Sequence, residues 1–249
     1  MTQTQEKLAP HPTLERYYAG PEHKRSFVRR LFDESAGQYD QVERMMALGT
    51  GSWYRRRALS RGGLARGMKC LDVAVGTGLV AREAVTLAGD PSAVVGLDPS
   101  PGMLAEAAKS LPIRLVVGRV EQLPFADGSF DFVSMGYALR HVSDVGVTMR
   151  ELFRVLRPGG RVCLLEITRP HRRLPRALVK CYMKGIIPGL SRLTAGGERQ
   201  RVLWEYYWET INACVPPAEL RAAMTEAGFA DVRRHVELGI FSEYTGRRA

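Results

Sequence analysis

Between about residue 65 and residue 167, the hydrophobic pattern of the chain alternates between short apolar runs and amphipathic segments. Apolar runs bounded by turn residues predict buried strands, and apolar positions at a helical period predict helices. The predicted strands are Lys69–Val75, Ala93–Leu97, Arg114–Gly118, Phe130–Met135 and Arg161–Ile167. The predicted helices between them are Leu79–Ala88, Met103–Ser110 and Asp144–Leu156. This alternation indicates an α/β fold, and we expect a Rossmann-like, doubly wound, mostly parallel sheet with helices on both faces.

The two ends of the chain follow other patterns. The first 12 residues or so predict a mobile tail, and the rest of the segment to residue 64 predicts a helical cap. After the fifth strand, residues 169–213 predict a helical insert. Pro216–Gly228 predicts one more helix, because proline is favoured at a helix start and glycine at its end. Residues 231–245 predict two final strands, so we expect a seven-stranded sheet.

The composition is that of an ordinary globular protein. Of the 249 residues, 45% are hydrophobic and 25% are charged, which excludes a disordered or collagen-like chain. The sequence contains no apolar run long enough for a transmembrane helix and no apolar segment typical of a secretory signal near its start. We therefore expect a cytoplasmic protein. The four cysteines lack metal-binding spacing, so we expect no metal site. Cys70 and Cys163 lie in apolar, strand-like runs, where we expect packed thiols.

The net charge of +10 is concentrated in two segments, residues 55–69 and 169–184, which contain no acidic residue. Such charge serves solubility, or it attracts an acidic substrate, an anionic lipid surface or nucleic acid. Apolar residues interrupt the charges of the 169–184 segment, which makes it a candidate for peripheral contact with the inner face of the membrane. No nucleic-acid-binding module accompanies the charge, so we expect no nucleic acid partner.

A glycine-rich loop follows the first predicted strand and leads into a helix. Gly76 and Gly78 permit a tight turn and a close approach of the backbone to a ligand. The N–H groups at the start of the helix favour an anion or a carboxylate. Asp98 ends the second strand, where its carboxylate can accept both hydroxyls of a ribose. The spacing indicates a site for an adenosine-containing ligand, but the loop alone fits both NAD and S-adenosylmethionine.

Three features favour S-adenosylmethionine over NAD. Asp72 lies inside the strand, where it can orient the loop and face an ammonium group. The chain has no Tyr-x-x-x-Lys pair of the kind that a short-chain dehydrogenase uses. In addition, several segments resemble the motifs of class I S-adenosylmethionine-dependent methyltransferases: Asp72–Gly78, Asp98, Glu121–Phe125, Asp127–Asp131 and Arg154–Gly160.

Within that class, the chain resembles the ubiquinone/menaquinone biosynthesis C-methyltransferases over about residues 27–246. Phe32–Asp40 is similar to the first motif of that family, and Leu139–Val142 to its Leu-Arg-Asn-Val motif. Tyr206 and Glu209–Ile211 resemble its late Tyr-Leu-x-x-Ser-Ile helix. The resemblance implies an N-terminal tail and helical cap over residues 1–64. It also implies a methyltransferase domain over residues 65–249, with the insert on its substrate side.

The resemblance also implies a set of site residues. Those expected to bind the cofactor are Tyr39, Asp72, Gly76, Thr77, Gly78, Asp98, Met103, Arg119, Val120 and Gly136. The candidates for catalysis are His141, Glu166 and Arg140, and those for substrate binding are Tyr137, Trp204 and Tyr206. For each side chain the alternative is a structural role. The chain departs from the family pattern at Leu79, Arg119–Val120, Gly136, His141 and Trp204.

These residues predict a methyltransferase that uses S-adenosyl-L-methionine to methylate a carbon of an aromatic small molecule, such as a quinol, a phenol or a polyketide-like ring. Carbon methylation needs a base, and a histidine near its ordinary pKa of about 6.5 would suit. O- or N-methylation of a small natural product, NAD-dependent chemistry and a non-catalytic, cofactor-bound role in a biosynthetic complex remain alternatives. A homodimer is also left open.

Overall fold

The computed structural model of the protein describes residues 8–46, 50–169, 180–182, 185 and 197–249, and within them seven strands form one sheet. The strands are β1 (Cys70–Val73), β2 (Val94–Asp98), β3 (Arg114–Val117), β4 (Phe130–Gly136), β5 (Leu156–Ile167), β6 (Phe229–Glu237) and β7 (Phe241–Arg248). Their order is β3-β2-β1-β4-β5-β7-β6, and only the pairs formed by β7 are antiparallel. The order reverses direction between β1 and β4, where open sheets of this kind bind ligands at the carboxyl ends of the strands. The predicted doubly wound sheet is confirmed.

Helices cover both faces of the sheet. They are α1 (Pro21–Met46), α2 (Gly51–Gly62), α3 (Leu79–Ala88), α4 (Pro101–Ala108), α5 (Val145–Val155), α6 (Gly197–Ala213) and α7 (Pro217–Glu226). One cluster of buried side chains joins the sheet to α5 and α7, and a second joins it to α2, α3 and α4. Two of the helices, α4 and α5, begin at side-chain caps: Ser100 accepts from Met103 N at 3.0 Å, and Asp144 accepts from Val147 N at 3.0 Å.

The predicted boundaries of the central elements agree with the structure to within two residues, except at β5. This strand begins at Leu156 rather than Arg161, because Leu156 already pairs with Phe130 of β4 ahead of a register shift. The helix α3 spans the predicted residues, Leu79–Ala88. The two cysteines expected to be packed inside strands, Cys70 and Cys163, are fully buried.

Residues 8–12 of the predicted mobile tail are packed against the domain, whereas residues 1–7 lie outside the described part of the chain. The Leu8 carbonyl oxygen accepts from Val145 N at 2.9 Å, and the Pro10 carbonyl oxygen accepts from Val215 N at 2.8 Å. These backbone bonds hold the segment against α5 and the start of α7. The helical cap also begins later than predicted, at Pro21. Proline is favoured at a first helical position because the N–H group that it lacks would have no partner there.

The long helix α1 is joined to the sheet region through the start of α4. The Asp33 carboxylate on α1 accepts from Ser100 Oγ at 2.6 Å and from the Gly102 backbone N–H at 3.0 Å. It therefore pairs one of the N–H groups that a helix start leaves without an intrahelical partner. Of the predicted helical insert at 169–213, the structure describes α6 and a few further residues, and most of residues 170–196 lie outside the described part.

We predict that Asp33→Ala lowers the free energy of unfolding by about 1–2 kcal/mol, the scale of one or two partly buried hydrogen bonds. Urea denaturation measures the change. Glu34→Ala is the matched control, because Glu34 is the neighbouring acid on α1 and is exposed. Equal destabilisation by both variants would show that the bond to α4 contributes nothing.

Candidate active site

A cavity of about 580 Å³ opens at the carboxyl edge of the sheet, near the point where the strand order reverses. The segments that follow β1, β2, β3 and β4 form its wall on the sheet side. Side chains of α1, together with Tyr207 of α6, form the opposite side. The cavity therefore lies where the fold itself predicts a ligand site.

The glycine-rich loop contributes backbone to the cavity. Gly76 lines it with a φ of 56°, and a Cβ atom added there would meet no protein atom within 4 Å. The loop thus leaves space at Gly76 that a ligand can fill. Gly78 has another role: its φ is 90° and a Cβ atom would collide with Leu111, so it lets α3 start close to the core. The Thr77 hydroxyl donates to the carboxylate of Asp40 on α1.

Asp98 lies at the end of β2 and lines the cavity. Its two carboxylate oxygens accept from the backbone N–H groups of Gly76 at 2.9 Å and Ser100 at 2.8 Å. A carboxylate has about four acceptor positions, so capacity remains for ligand hydroxyls. Burial raises the pKa of Asp98 to about 6, while the two backbone bonds act in the opposite direction.

Asp72 lies beneath the glycine-rich loop and does not line the cavity. Its Oδ1 accepts from Ser134 Oγ at 2.6 Å, whereas its Oδ2 is buried and has no hydrogen-bond partner in the described part of the chain. Burial raises the pKa of this carboxyl to about 7. A buried acceptor atom without a partner suits a residue that positions the loop or stabilises a bound cation.

The other residues predicted to bind the cofactor all line the cavity: Tyr39, Met103, Arg119, Val120 and Gly136. The glycine at 136, where the family pattern has serine, has a steric explanation. A Cβ atom at this position would come within 2.6 Å of Val80 Cγ2. The side chain of Val80 on α3 therefore occupies the space that a larger residue at 136 would need.

Five aromatic side chains line the cavity, and together they form what we call its aromatic side. They are Phe32, Tyr39, Tyr137, His141 and Tyr207. The hydroxyls of Tyr39 and Tyr207 lie 2.9 Å apart and hydrogen-bond to each other. The rings of Phe32 and His141 meet edge to face, with centroids 5.2 Å apart. Such a set of rings suits a flat, apolar or aromatic ligand.

His141 lies in the short 3₁₀ turn after β4 and stacks on Tyr206, with ring centroids 5.5 Å apart. Its Nδ1 lies 3.3 Å from the Tyr206 hydroxyl, and its Nε2 is buried with no protein partner in the described residues. Burial lowers the pKa of His141 well below 6.5, and the charges of Arg140 and Lys24 lower it further. The expectation of a histidine near its ordinary pKa is therefore wrong, and the ring is neutral at pH 7.

Arg140 and Glu166 form a buried ion pair and do not line the cavity, unlike side chains that contact substrate. Arg140 Nη1 donates to Glu166 Oε2 at 2.8 Å, and Glu166 Oε1 accepts from the Leu139 backbone N–H at 2.9 Å. Both carboxylate oxygens are therefore engaged. This arrangement favours a structural role for the pair over a role as general base.

Trp204 and Tyr206 are buried in α6 but do not line the cavity, contrary to the expectation for substrate contacts. Successive helical residues point about 100° apart, and the face that reaches the cavity is that of Tyr207. Tyr206 packs instead against Tyr17 and Phe27, with centroids 5.2 and 5.3 Å away. The motif similarity identified the right helix, but it did not identify its inward face.

Sequence reasoning also missed most of the α1 residues that line the cavity. They occupy one face of the helix, namely Arg25, Ser26, Val28, Arg29 and Phe32. The spacing of three and four residues is a helical signal. This face was not recognised in the sequence because it mixes basic and apolar side chains, and a search for apolar positions does not select arginine. The Arg25 Nε group donates to Ser143 Oγ at 2.8 Å and links α1 to the segment after β4.

Comparison with known proteins agrees with this fold. The profile of the ubiE/COQ5 methyltransferase family matches residues 20–248. The chain is 35% identical over 222 residues to the demethylmenaquinone methyltransferase of Symbiobacterium thermophilum, covering 85% of this chain and 88% of that protein. It is 31% identical over 229 residues to the ubiquinone/menaquinone biosynthesis C-methyltransferase UbiE of Geobacter sulfurreducens, covering 89% and 88%.

Solved structures share the fold at lower identity. A methyltransferase from Thermotoga maritima, described as a possible histamine N-methyltransferase, superposes with a TM-score of 0.63 at 21% identity over 88% of this chain and 99% of that one. Phosphoethanolamine N-methyltransferase 2 of Haemonchus contortus, in complex with S-adenosyl-L-methionine, gives a TM-score of 0.64 at 17% identity. It covers 90% of this chain and 60% of that one.

No helix in the described part of the chain is both long and apolar enough to cross a membrane.

The family profile spans both the sheet and the N-terminal helix that covers the cavity. The curated relatives exceed 30% identity over most of their own length. The chain therefore belongs to the ubiE/COQ5 methyltransferase family, and it is an S-adenosyl-L-methionine-dependent methyltransferase.

Proposed function

We propose that the protein transfers a methyl group from S-adenosyl-L-methionine to a ring carbon of a quinol-type acceptor. One observation carries this proposal. The same cavity is lined by the glycine-rich loop, by Asp98 and by five aromatic side chains. The names of the relatives, demethylmenaquinone methyltransferase and ubiquinone/menaquinone biosynthesis C-methyltransferase, support a quinone-type acceptor.

The residues at the carboxyl edge of β1 and β2 fit an adenosyl cofactor. Gly76 leaves room for a ligand at the loop, and Asp98 has acceptor capacity for the ribose hydroxyls. Asp72 is buried beneath the loop and does not line the cavity, so it would act on the methionine part by holding the loop in position. Arg119 and Val120 line the cavity after β3, where they can contact the adenine. When bound, S-adenosylmethionine supplies the methyl group of its sulfonium.

The reaction breaks the bond between sulfur and the methyl carbon and forms a bond from that carbon to the acceptor ring. Charge is lost when a phenolate-like ring and a sulfonium react, so a dry, enclosed site helps the reaction. The aromatic side chains of α1 and α6 hold the ring and exclude water. The ring carbon finally loses its proton, which requires an acceptor in the cavity.

His141 is our candidate for that proton acceptor. It lines the cavity in its neutral form, and its Nε2 atom has no protein partner among the described residues. A tautomer that carries the proton on Nδ1, toward Tyr206, leaves the Nε2 lone pair free. The depressed pKa makes this ring a weak base, but a ring carbon that has just been alkylated releases its proton readily. Arg140 and Glu166 act through position, because they fix the turn that carries His141.

Membrane contact, a cytoplasmic location and a homodimer are predictions that follow from the sequence. A lipophilic quinol would bring the protein to the membrane surface, and the basic 169–184 segment suits that contact. Most of that segment lies outside the described residues. The expected cytoplasmic location and a homodimer are further predictions that a membrane flotation assay and analytical ultracentrifugation can test.

The first test is calorimetric titration with S-adenosylmethionine, S-adenosylhomocysteine and NAD, followed by an assay with a short-chain demethylmenaquinol. We expect micromolar binding of both adenosyl ligands, no binding of NAD, and a product whose new methyl group is attached to a ring carbon by NMR. A methyl ether product would indicate O-methylation instead. Cofactor binding without turnover of this quinol would contradict the proposed acceptor.

We predict that Asp98→Ala weakens S-adenosylhomocysteine binding by about 30-fold, equivalent to about 2 kcal/mol for lost hydrogen bonds to a charged group. The pKa of Asp98 is about 6, so the wild-type carboxyl becomes protonated below that pH and loses its charge. The difference in affinity between wild type and variant should therefore shrink as the pH falls from 8 to 5. Asp127→Ala is the control, because Asp127 is an exposed acid in a surface pair with Arg154. Similar losses in both variants would mean that the ribose site is misplaced.

We predict that His141→Ala lowers kcat by about tenfold or more and changes the Kd of S-adenosylhomocysteine less than twofold. His141→Asn, which restores the residue of the family motif, should retain more activity than the alanine variant. His235→Ala is the control, because it removes an exposed histidine on β6. Wild-type turnover in His141→Ala would remove this residue from the mechanism.

A further inference from the structure

Tyr207 occupies a position in α6 where the family pattern has leucine, directly after the tyrosine of its Tyr-Leu-x-x-Ser-Ile helix. The side chain is 7% exposed and lines the cavity. Its ring packs on Trp204 and meets Phe32 and His141 edge to face, with centroid distances of 5.6, 6.3 and 6.0 Å. The ring therefore has a defined place, and its hydroxyl adds a polar group to a wall that leucine would make apolar.

The hydroxyls of Tyr207 and Tyr39 cannot satisfy each other completely. They lie 2.9 Å apart, and only one proton can lie between the two oxygens. The proton of the second hydroxyl has no acceptor in the part of the chain that the structure describes. Burial raises the pKa of Tyr207 well above 10 and also raises that of Tyr39, so both remain protonated donors at physiological pH. The pair thus offers one unused O–H donor beside the cavity.

The surroundings favour a ligand oxygen that carries negative charge. The Arg140 guanidinium lies 4.8 Å from the centre of the Tyr207 ring. Lys24, also buried, donates to the carbonyl oxygens of Arg140 at 3.3 Å and of Val142 at 2.9 Å. Both cations lower the pKa of His141, which reports a positive potential at this end of the cavity.

We propose that the Tyr39–Tyr207 pair is a binding site for a phenolic or phenolate oxygen of the methyl acceptor, and that Tyr207 makes this chain selective for a hydroxylated ring. The inference rests on the proposed function, because it assigns the group that orients the acceptor in the same cavity. An oxygen held at this point fixes the rotation of the ring in its plane. It therefore selects which ring carbon is presented for methylation.

The test compares Tyr207→Phe with wild type, using a short-chain demethylmenaquinol as the acceptor and S-adenosylhomocysteine as the binding ligand. Tyr207→Phe keeps the ring next to Arg140 and removes only the hydroxyl. We expect kcat/KM for the quinol to fall at least about tenfold, the effect of a lost hydrogen bond to a charged group. The Kd of S-adenosylhomocysteine should change less than twofold. Tyr207→Leu should lose at least as much activity.

Tyr18→Phe is the matched control, because it removes a buried tyrosine hydroxyl that does not line the cavity. It should leave kcat/KM unchanged. If Tyr207→Phe retains wild-type kcat/KM and only Tyr207→Leu loses activity, the ring acts by packing and the inference is overturned. An equal loss of cofactor affinity in Tyr207→Phe would also overturn it. Wild type that methylates no quinol at all would instead contradict the proposed function.

Discussion

The aromatic side of the cavity depends on one buried ion pair. Arg140 and Glu166 are separated by 2.8 Å, and their side chains are 1% and 5% exposed. Charges buried this deeply are tolerated only when they are paired and hydrogen-bonded. Distant parts of the chain meet at this pair: Leu139 after β4 donates its backbone N–H to Glu166 of β5, and Lys24 of α1 donates to the backbone carbonyl oxygen of Arg140. The guanidinium also lies against Tyr207 of α6, so the pair and Lys24 together connect β5 and the turn after β4 with α1 and α6.

The two sides of the cavity are built by different means. The cofactor side consists of strand ends and turns, whose positions follow from the parallel ladders of β1, β2 and β4. Backbone of the glycine-rich loop and the carboxylate of Asp98 line this side, and both are placed by the ends of β1 and β2. The acceptor side consists of side chains from α1, α6 and a 3₁₀ turn, whose relative positions depend on packing. His141 and Tyr207, which both differ from the family pattern, line this side. The fold can therefore keep its cofactor while its acceptor changes.

This division also explains what the sequence could predict. Apolar runs between turns and the glycine spacing identify the sheet, the loop and Asp98, because these features depend on local sequence. Whether Tyr206 or Tyr207 faces the cavity depends on the rotation of α6 about its own axis, and tertiary contacts determine that rotation. The low pKa of His141 depends on cations that lie in other segments, above all Arg140 and Lys24. Neither property is visible in a local pattern. The packed N-terminal segment was missed for the same reason, because its partner N–H groups lie far along the chain.

Two of the four non-glycine residues with left-handed backbone in the described part of the chain lie at the ends of strands that border the cavity. Ala74 follows β1 and Tyr137 follows β4, neighbouring strands in the sheet, and both have left-handed backbone with φ of 54° and 58°. Such a conformation costs a non-glycine residue roughly 1–3 kcal/mol and persists only when its surroundings hold it. The Tyr137 N–H donates to the Leu165 carbonyl oxygen of β5 at 2.7 Å, so the neighbouring strand holds this turn. Both residues line the cavity. The pairing of the strands therefore stabilises the sharp turns that place the Ala74 backbone and the Tyr137 ring at the cavity. The geometry of the site depends on the sheet more than on the loops.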